Sequence, residues 1–236
     1  MTFATIEHAL EQLRSGRPVL VLDDEDRENE GDAILAAELA SPQWVGWMVR
    51  HTSGYLCAPM EDTRADRLGL PLMWSANTDP LRTRYTVSVD VSTSTTGISS
   101  VERAATTRAL ADPRTTSADL IRPGHVLPLR ARDGGVLTRR GHTEAAVDLT
   151  RLAGLQAVGL IGEIVHDDGT CARTPDVLAL GQAEGLDVIT IESLANWRRS
   201  HEEQPTATTP GSSTTRVSPT AVSYTHLRAH ETRHDL

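Results

Sequence analysis

Between residues 23 and 32 the chain reads Asp23-Asp24-Glu25-Asp26-Arg27-Glu28-Asn29-Glu30-Gly31-Asp32, seven carboxylates in ten positions with a single arginine among them. Like charges at this density repel, and a cationic partner relieves the repulsion. A hard divalent metal bound through oxygen, or a polyhydroxylated substrate, fits such a loop. The competing reading is a solvated charged loop, which is what charge runs commonly are. The run also partly mimics a calcium loop, with Asp26, Glu28, Glu30 and Gly31 at positions 1, 3, 5 and 6, but position 12 is Ala37 where a bidentate Glu is required. Calcium sensing is therefore disfavoured.

Three further clusters carry reactive side chains. Arg122-Pro123-Gly124-His125 reads as a turn that presents one imidazole at the start of a strand, although a lone histidine is often only a structural hydrogen-bonding group. Arg139-Arg140-Gly141-His142-Thr143-Glu144 precedes an apparent helix running to about Leu152. Free N–H groups at a helix start, a hydroxyl and an arginine make a phosphate site, and His142 beside them could ligate a metal. In Gly162-Glu163-Ile164-Val165-His166-Asp167-Asp168-Gly169, Glu163 interrupts an apolar strand. Burial there disfavours the charged form and suits it to proton transfer; a satisfied buried carboxylate is the alternative. Cys57 reads as a small core residue rather than a nucleophile, and His8, His51 and His166 as structural.

Composition narrows the chemistry. All 23 cationic residues are Arg, so no lysine Schiff base or lysine general base is available. Carbonyl chemistry would need a metal ion or a His/Glu pair. A formal charge of -9 argues against a nucleic-acid partner. Cys57 and Cys171 fit neither a metal-ligand spacing nor a disulfide framework, which points to a reducing cytoplasm. No apolar run is long enough to span a membrane, and the N-terminus does not read as an export signal.

The elements that must position these groups alternate irregularly. Ile6, Ala9, Leu10 and Leu13 predict a helix closed near Gly16; Val19 to Leu22 predicts a buried strand, and Ala33 to Ala37 another. Ser41-Pro42 opens a helix, and Tyr55 to Ala58 reads as a strand. Arg84 to Val91 alternates, predicting a half-buried strand with Tyr85, Val87, Val89 and Val91 on one face and Thr86, Ser88 and Asp90 on the other. Ser99 to Glu102 fits a capping box for a helix to about Ala111. Val158 to Val165 predicts a strand, Pro175 to Glu184 a helix ended by Gly185, Asp187 to Ile191 a strand and Glu192 to Arg199 a helix. The expectation is an α+β single domain over residues 1–199, a mixed sheet with flanking helices, followed by a disordered or artefactual tail over residues 200–236.

Taken in order, these motifs resemble the 3,4-dihydroxy-2-butanone 4-phosphate synthases of riboflavin biosynthesis. The resemblance rests on the acidic run at residues 23–32, on Thr95-Thr96-Gly97-Ile98-Ser99, Arg122-Pro123-Gly124-His125, Gly141-His142-Thr143-Glu144-Ala145 and Asp167-Asp168-Gly169-Thr170. It implies an α+β fold, a homodimer with sites near the subunit interface, Mg²⁺ or Mn²⁺, and conversion of ribulose 5-phosphate to dihydroxybutanone phosphate and formate. By position, Glu28 and His142 would be metal ligands. Arg27, Glu28 and Asp32 would contact the sugar, while Arg139, Arg140, Gly141, His142 and Thr143 would bind the substrate, chiefly its phosphate. His125 and Glu163 would be essential for proton transfer, with Glu163 also contacting substrate. Two segments depart from the family pattern: Val91-Ser92-Thr93-Ser94 is short and hydroxyl-rich, and Ser100-Val101-Glu102-Arg103 replaces a usual Ala-Ala-Asp-Arg. The alternatives are a catalytically silent sugar-phosphate-binding paralogue, or one half of a bifunctional protein whose other half is a GTP cyclohydrolase II.

Overall fold

Every residue of Val19–Leu22 (β1) is buried because both faces of the strand are covered. Val19 and Val21 pack on one side with the helices Ile6–Arg14 (α1), His142–Leu152 (α5) and Ile191–Glu202 (α7). Leu20 and Leu22 pack on the other with Pro42–His51 (α2), Asp62–Arg67 (α3), Ser100–Ala111 (α4) and Thr174–Glu184 (α6). The remaining strands are Gly31–Ala36 (β2), Cys57–Met60 (β3), Val89–Val91 (β4), Leu120–Arg130 (β5), Gly159–Glu163 (β6) and Val188–Thr190 (β7). They form one seven-stranded sheet in the order β4-β5-β3-β6-β2-β1-β7. β1/β7 and β3/β5 pair in parallel while β1/β2, β2/β6, β3/β6 and β4/β5 pair antiparallel, so the expected mixed α+β sheet with flanking helices is what forms.

Local signals behave as their chemistry requires. Thr5 caps α1 by accepting the His8 N–H at 3.3 Å, and Ser41 caps α2 by accepting the Trp44 N–H at 3.1 Å. Gly185 ends α6 in the left-handed region with φ 61°. Ser99 caps α4 through the Glu102 N–H at 3.2 Å. Only half of that capping box forms, because the Glu102 carboxylate turns to the Thr95 and Gly97 N–H groups at 2.6 and 3.0 Å.

Two expectations change. The alternating stretch at Arg84 to Val91 keeps only Val89–Val91 as a regular strand, and two of its three polar positions are buried. Thr86 is fully buried, donating to the Pro128 carbonyl at 3.0 Å, and Asp90 is buried against His125. Alternation identifies two faces, but here the polar face is largely covered as well. The Arg122-to-His125 segment is not a turn before a strand but lies inside the eleven-residue β5. The partner of Val89 is Val126 while that of Asp90 is Ile121, so residues 122–125 bulge out against one step of β4. Gly124 is required there: a Cβ would lie 2.0 Å from the Val89 carbonyl carbon and 2.2 Å from the Asp90 nitrogen.

The short helix α3 has no counterpart in the sequence expectations, and α7 runs three residues past the expected domain limit at 199. The structure, a computed structural model, describes residues 3–202, so the rest of the expected tail lies outside the described residues. Among those described, no helix is long and apolar enough to cross a membrane.

Candidate active site

β1 and β2 form a hairpin in which Val21 faces Asp32 and Leu22 faces Gly31, so the acidic loop is the connection between two buried strands. Asp23 folds inward and organises it. Its carboxylate accepts the Glu30 N–H at 2.8 Å, the Glu28 N–H at 3.1 Å and an Arg27 guanidinium N–H at 2.9 Å. Asn29 takes the left-handed conformation with φ 54°, which its side chain tolerates better than most. Arg173, just before α6, donates to the Glu28 carbonyl at 3.0 Å and to the Asn29 carbonyl. Arg140 pairs with Asp24 at 3.2 Å and Arg27 also contacts the Glu28 carboxylate. Arginines from three segments thus gather a loop that would otherwise repel itself.

His142 is the first residue of α5 and is buried against this hairpin. Its Nε2 lies 3.1 Å from the Val21 carbonyl, which can only accept, so Nε2 carries the proton. The Nδ1 lone pair of the neutral ring then faces Asp32 Oδ1 at 3.5 Å and Glu28 Oε2 at 3.8 Å. Burial lowers the His142 pKa and favours that neutral form. Burial also pushes Asp32 well above the usual carboxylate range, with the charges of Glu163, Glu28, Glu30 and Asp23 adding to it. Glu28 is raised by burial as well, against the opposing pull of Arg27. Asp32 Oδ1 is buried with no hydrogen-bond partner, and ligand atoms of Asp23, Glu28 and His142 lie within 4.8 Å of one another. A lone pair and carboxylate oxygens converge there with Arg27 donating to the Glu28 oxygen alone, and such a donor set suits a cation.

One consequence is measurable in the metal-free protein. Because Asp32 has a raised value in the fold, the stability contributed by its protonated form is complete below its unfolded value of 3.8 and is lost as pH rises through the raised value. Asp32→Asn removes the ionisation at nearly constant shape, so it should stabilise the metal-free chain by about 1 kcal/mol at neutral pH. An increased urea midpoint with unchanged slope is the expected readout; a decreased midpoint contradicts the assignment.

Of the residues expected to act together, Arg27, Glu28, Asp32, Arg139, His142, Thr143 and Glu163 line one cleft. Glu163 ends β6 directly opposite Asp32 and accepts the Ser53 hydroxyl at 2.6 Å. Arg139 is held by Glu144 at 2.6 Å and donates to the Leu81 carbonyl at 3.1 Å. Gly141, the residue before α5, does not line the cleft, but a Cβ there would lie 2.2 Å from Arg139 Nη1 and 2.9 Å from Glu144 Oε2. It keeps that ion pair possible. Arg140 does not line the cleft either, being turned toward Asp24. Cys57 does line it, and burial followed by the charges of Glu163 and Asp32 raises its thiol well above the ordinary range. That is the behaviour of a packed thiol, not of a nucleophile.

His125 stands apart from the cleft lining, on the next strand but one from Glu163. Cys57 pairs with both Ile161 and Leu127, and Glu163 and His125 each lie two positions beyond that row, toward the same end of the sheet. At the usual strand spacing their backbones are separated by about 10 Å, a gap a small substrate can bridge. Sequence reasoning left Asp23 undifferentiated among the acids and gave Arg173, Glu144, Ser53 and Asp90 no role in the site. Glu144 carried a signal, since it sits in the same short motif as His142; Arg173 and Ser53 reach the site only through the fold.

Comparison with known proteins supplies independent findings. A family model described as 3,4-dihydroxy-2-butanone 4-phosphate synthase matches residues 7–197. The riboflavin biosynthesis protein RibBA of Salinispora arenicola is 57% identical over 204 residues, covering 86% of this chain and 49% of that protein. RibBA of Nocardia farcinica is 54% identical over 205 residues, covering 86% of this chain and 50% of its own length. The chain therefore spans about half the length of these curated relatives. Among solved structures, a 3,4-dihydroxy-2-butanone 4-phosphate synthase in complex with two magnesium ions is similar with a TM-score of 0.80 and 43% identity, covering 85% of this chain and 99% of that one. The Candida albicans synthase gives a TM-score of 0.78 and 46% identity over 84% of this chain and 99% of that one.

Proposed function

The chain belongs to the 3,4-dihydroxy-2-butanone 4-phosphate synthase family, and from that premise we propose that its domain is a lyase converting ribulose 5-phosphate to 3,4-dihydroxy-2-butanone 4-phosphate and formate. The observation that carries the reading is the His142 lone pair facing Glu28 and the unpartnered Asp32 oxygen in a cleft that also holds Glu163. The residues fit Mg²⁺ or Mn²⁺: Glu28 and His142 would hold the ion, with Asp23 supplying negative charge behind them. A bound divalent cation would polarise the substrate carbonyl and so acidify the neighbouring C–H.

Everything else falls to the chain's own side chains. Arg139, the Thr143 hydroxyl and the free N–H groups at the start of α5 bind the phosphate. Arg27 and Asp32 hold the sugar hydroxyls, and Ser53 orients the Glu163 carboxylate at the opposite wall. Glu163 and His125 move protons, and the acidic loop closes over the sugar to exclude water from reactive species. The reading includes a homodimer, for which the exposed Ile98 and Val101 offer apolar surface. It also places the enzyme in the cytoplasm.

Incubation of the full chain with ribulose 5-phosphate tests the proposal. Formate and dihydroxybutanone phosphate should accumulate in equal amounts with Mg²⁺ and not with EDTA. Tight substrate binding without formate release would instead favour the silent paralogue.

A further inference from the structure

Asp90 is buried on the edge strand β4, yet the reaction outlined above gives it no part. One of its oxygens accepts the His125 backbone N–H at 2.9 Å, and the other lies 2.7 Å from His125 Nδ1. A carboxylate holding a backbone N–H on one oxygen offers the other as an acceptor, so Nδ1 is the protonated ring nitrogen. Neutral His125 then carries its lone pair at Nε2. The carboxylate side chain is 8% exposed and the imidazole 42%, so the acceptor is hidden while the ring is presented.

A second element packs against Asp90 and the Nδ1 edge of His125. Gly97, in the left-handed region with φ 80°, packs so closely that a Cβ would lie 2.0 Å from Asp90 Oδ2 and 2.7 Å from His125 Nδ1. Its loop is folded by Glu102, whose carboxylate takes the Thr95 and Gly97 N–H groups and the Thr96 hydroxyl. Glu102, one of several residues that depart from the usual family pattern, therefore shapes this loop. The bulge at residues 122–125 brings His125 to Asp90 from the other side.

From this geometry we infer that Asp90 is the positioning residue of His125: it fixes the tautomer that leaves Nε2 free to take a proton and stabilises the imidazolium that results. The inference rests on the proposed synthase reaction for its kinetic consequence, whereas the tautomer is a property of the protein alone.

Asp90→Asn separates a positioning role from a merely structural one. The Asn carbonyl oxygen must keep the His125 backbone N–H, because that group can only donate. The amide NH₂ then faces Nδ1, which must accept, and the ring proton moves to Nε2. With ribulose 5-phosphate and Mg²⁺, kcat should fall about 100-fold or more at nearly unchanged KM, as the corresponding exchange does in a Ser-His-Asp triad. On a His125→Ala background the same change should alter kcat by less than about twofold, since Asp90 then has nothing to position. Ring ¹⁵N spectra of the metal-free chain, with His125 assigned by its loss in His125→Ala, should show the proton at Nδ1 in the natural protein and at Nε2 in Asp90→Asn. An unchanged kcat, an unchanged tautomer, or an equal loss on the His125→Ala background overturns the inference. If the natural protein releases no formate, the synthase reading fails, while the ring spectra still decide whether Asp90 sets the tautomer.

Discussion

Glu163→Gln should lower kcat for formate release by about 1,000-fold while substrate affinity changes by less than about tenfold. Gln keeps the shape of the side chain and can still take the Ser53 hydroxyl, now at 2.6 Å from the Glu163 carboxylate. What it loses is the capacity to hold and release a proton beside the cleft. Glu163 is also the direct cross-strand neighbour of Asp32, and its charge is the second cause, after burial, of the raised Asp32 value. Removing that charge therefore makes Asp32 easier to ionise, so cation binding should not collapse with turnover. Steady-state kinetics paired with calorimetric binding of ribulose 5-phosphate separates the two effects. Turnover near that of the natural protein would show that Glu163 does not transfer a proton.

His142→Ala should weaken binding of a divalent cation by more than about 100-fold, read as free Mn²⁺ by electron paramagnetic resonance. The imidazole contributes a nitrogen whose tautomer is fixed by the Val21 carbonyl at 3.1 Å. Glu28 and Asp32 do not replace it, being already turned toward the same space, nor does Asp23, whose oxygens are engaged by the Glu28, Glu30 and Arg27 N–H groups. Burial of His142 is nearly complete, so its removal also leaves space beneath α5. A Tm measured without metal distinguishes the outcomes, because a change confined to packing would lower Tm without a matching loss of Mn²⁺ affinity. Unaltered Mn²⁺ binding would contradict the ligand assignment.

How much of this was legible in the sequence differs from residue to residue. The acidic loop announced a site through charge density, but not which carboxylates face inward. That depends on Asp23 accepting two backbone N–H groups and on Arg173 reaching back to the Glu28 carbonyl from the start of α6. The strands β1 and β2 and the helix α5 were readable, because apolar runs and helix-start residues report local physics. The stretch from Arg84 to Val91 misled because alternation cannot say whether the polar face meets water or another strand. There it meets β5, and the buried Thr86 and Asp90 are satisfied by Pro128 and His125. His125 was recognisable as a reactive group within its motif, yet its setting in a bulge opposite β4 follows from pairing that no local pattern encodes. The family resemblance supplied the roles; the fold supplies the reason that Glu28, Asp32, His142 and Glu163 occupy one cleft.

The central claim is that this cleft excises one carbon of a sugar phosphate as formate. Ribulose 5-phosphate labelled with ¹³C at C4 alone, incubated with the full chain and Mg²⁺, tests it directly by ¹³C NMR. The account predicts that the label appears in formate and is absent from dihydroxybutanone phosphate. Label retained in a five-carbon product, or formate released without it, would contradict the account.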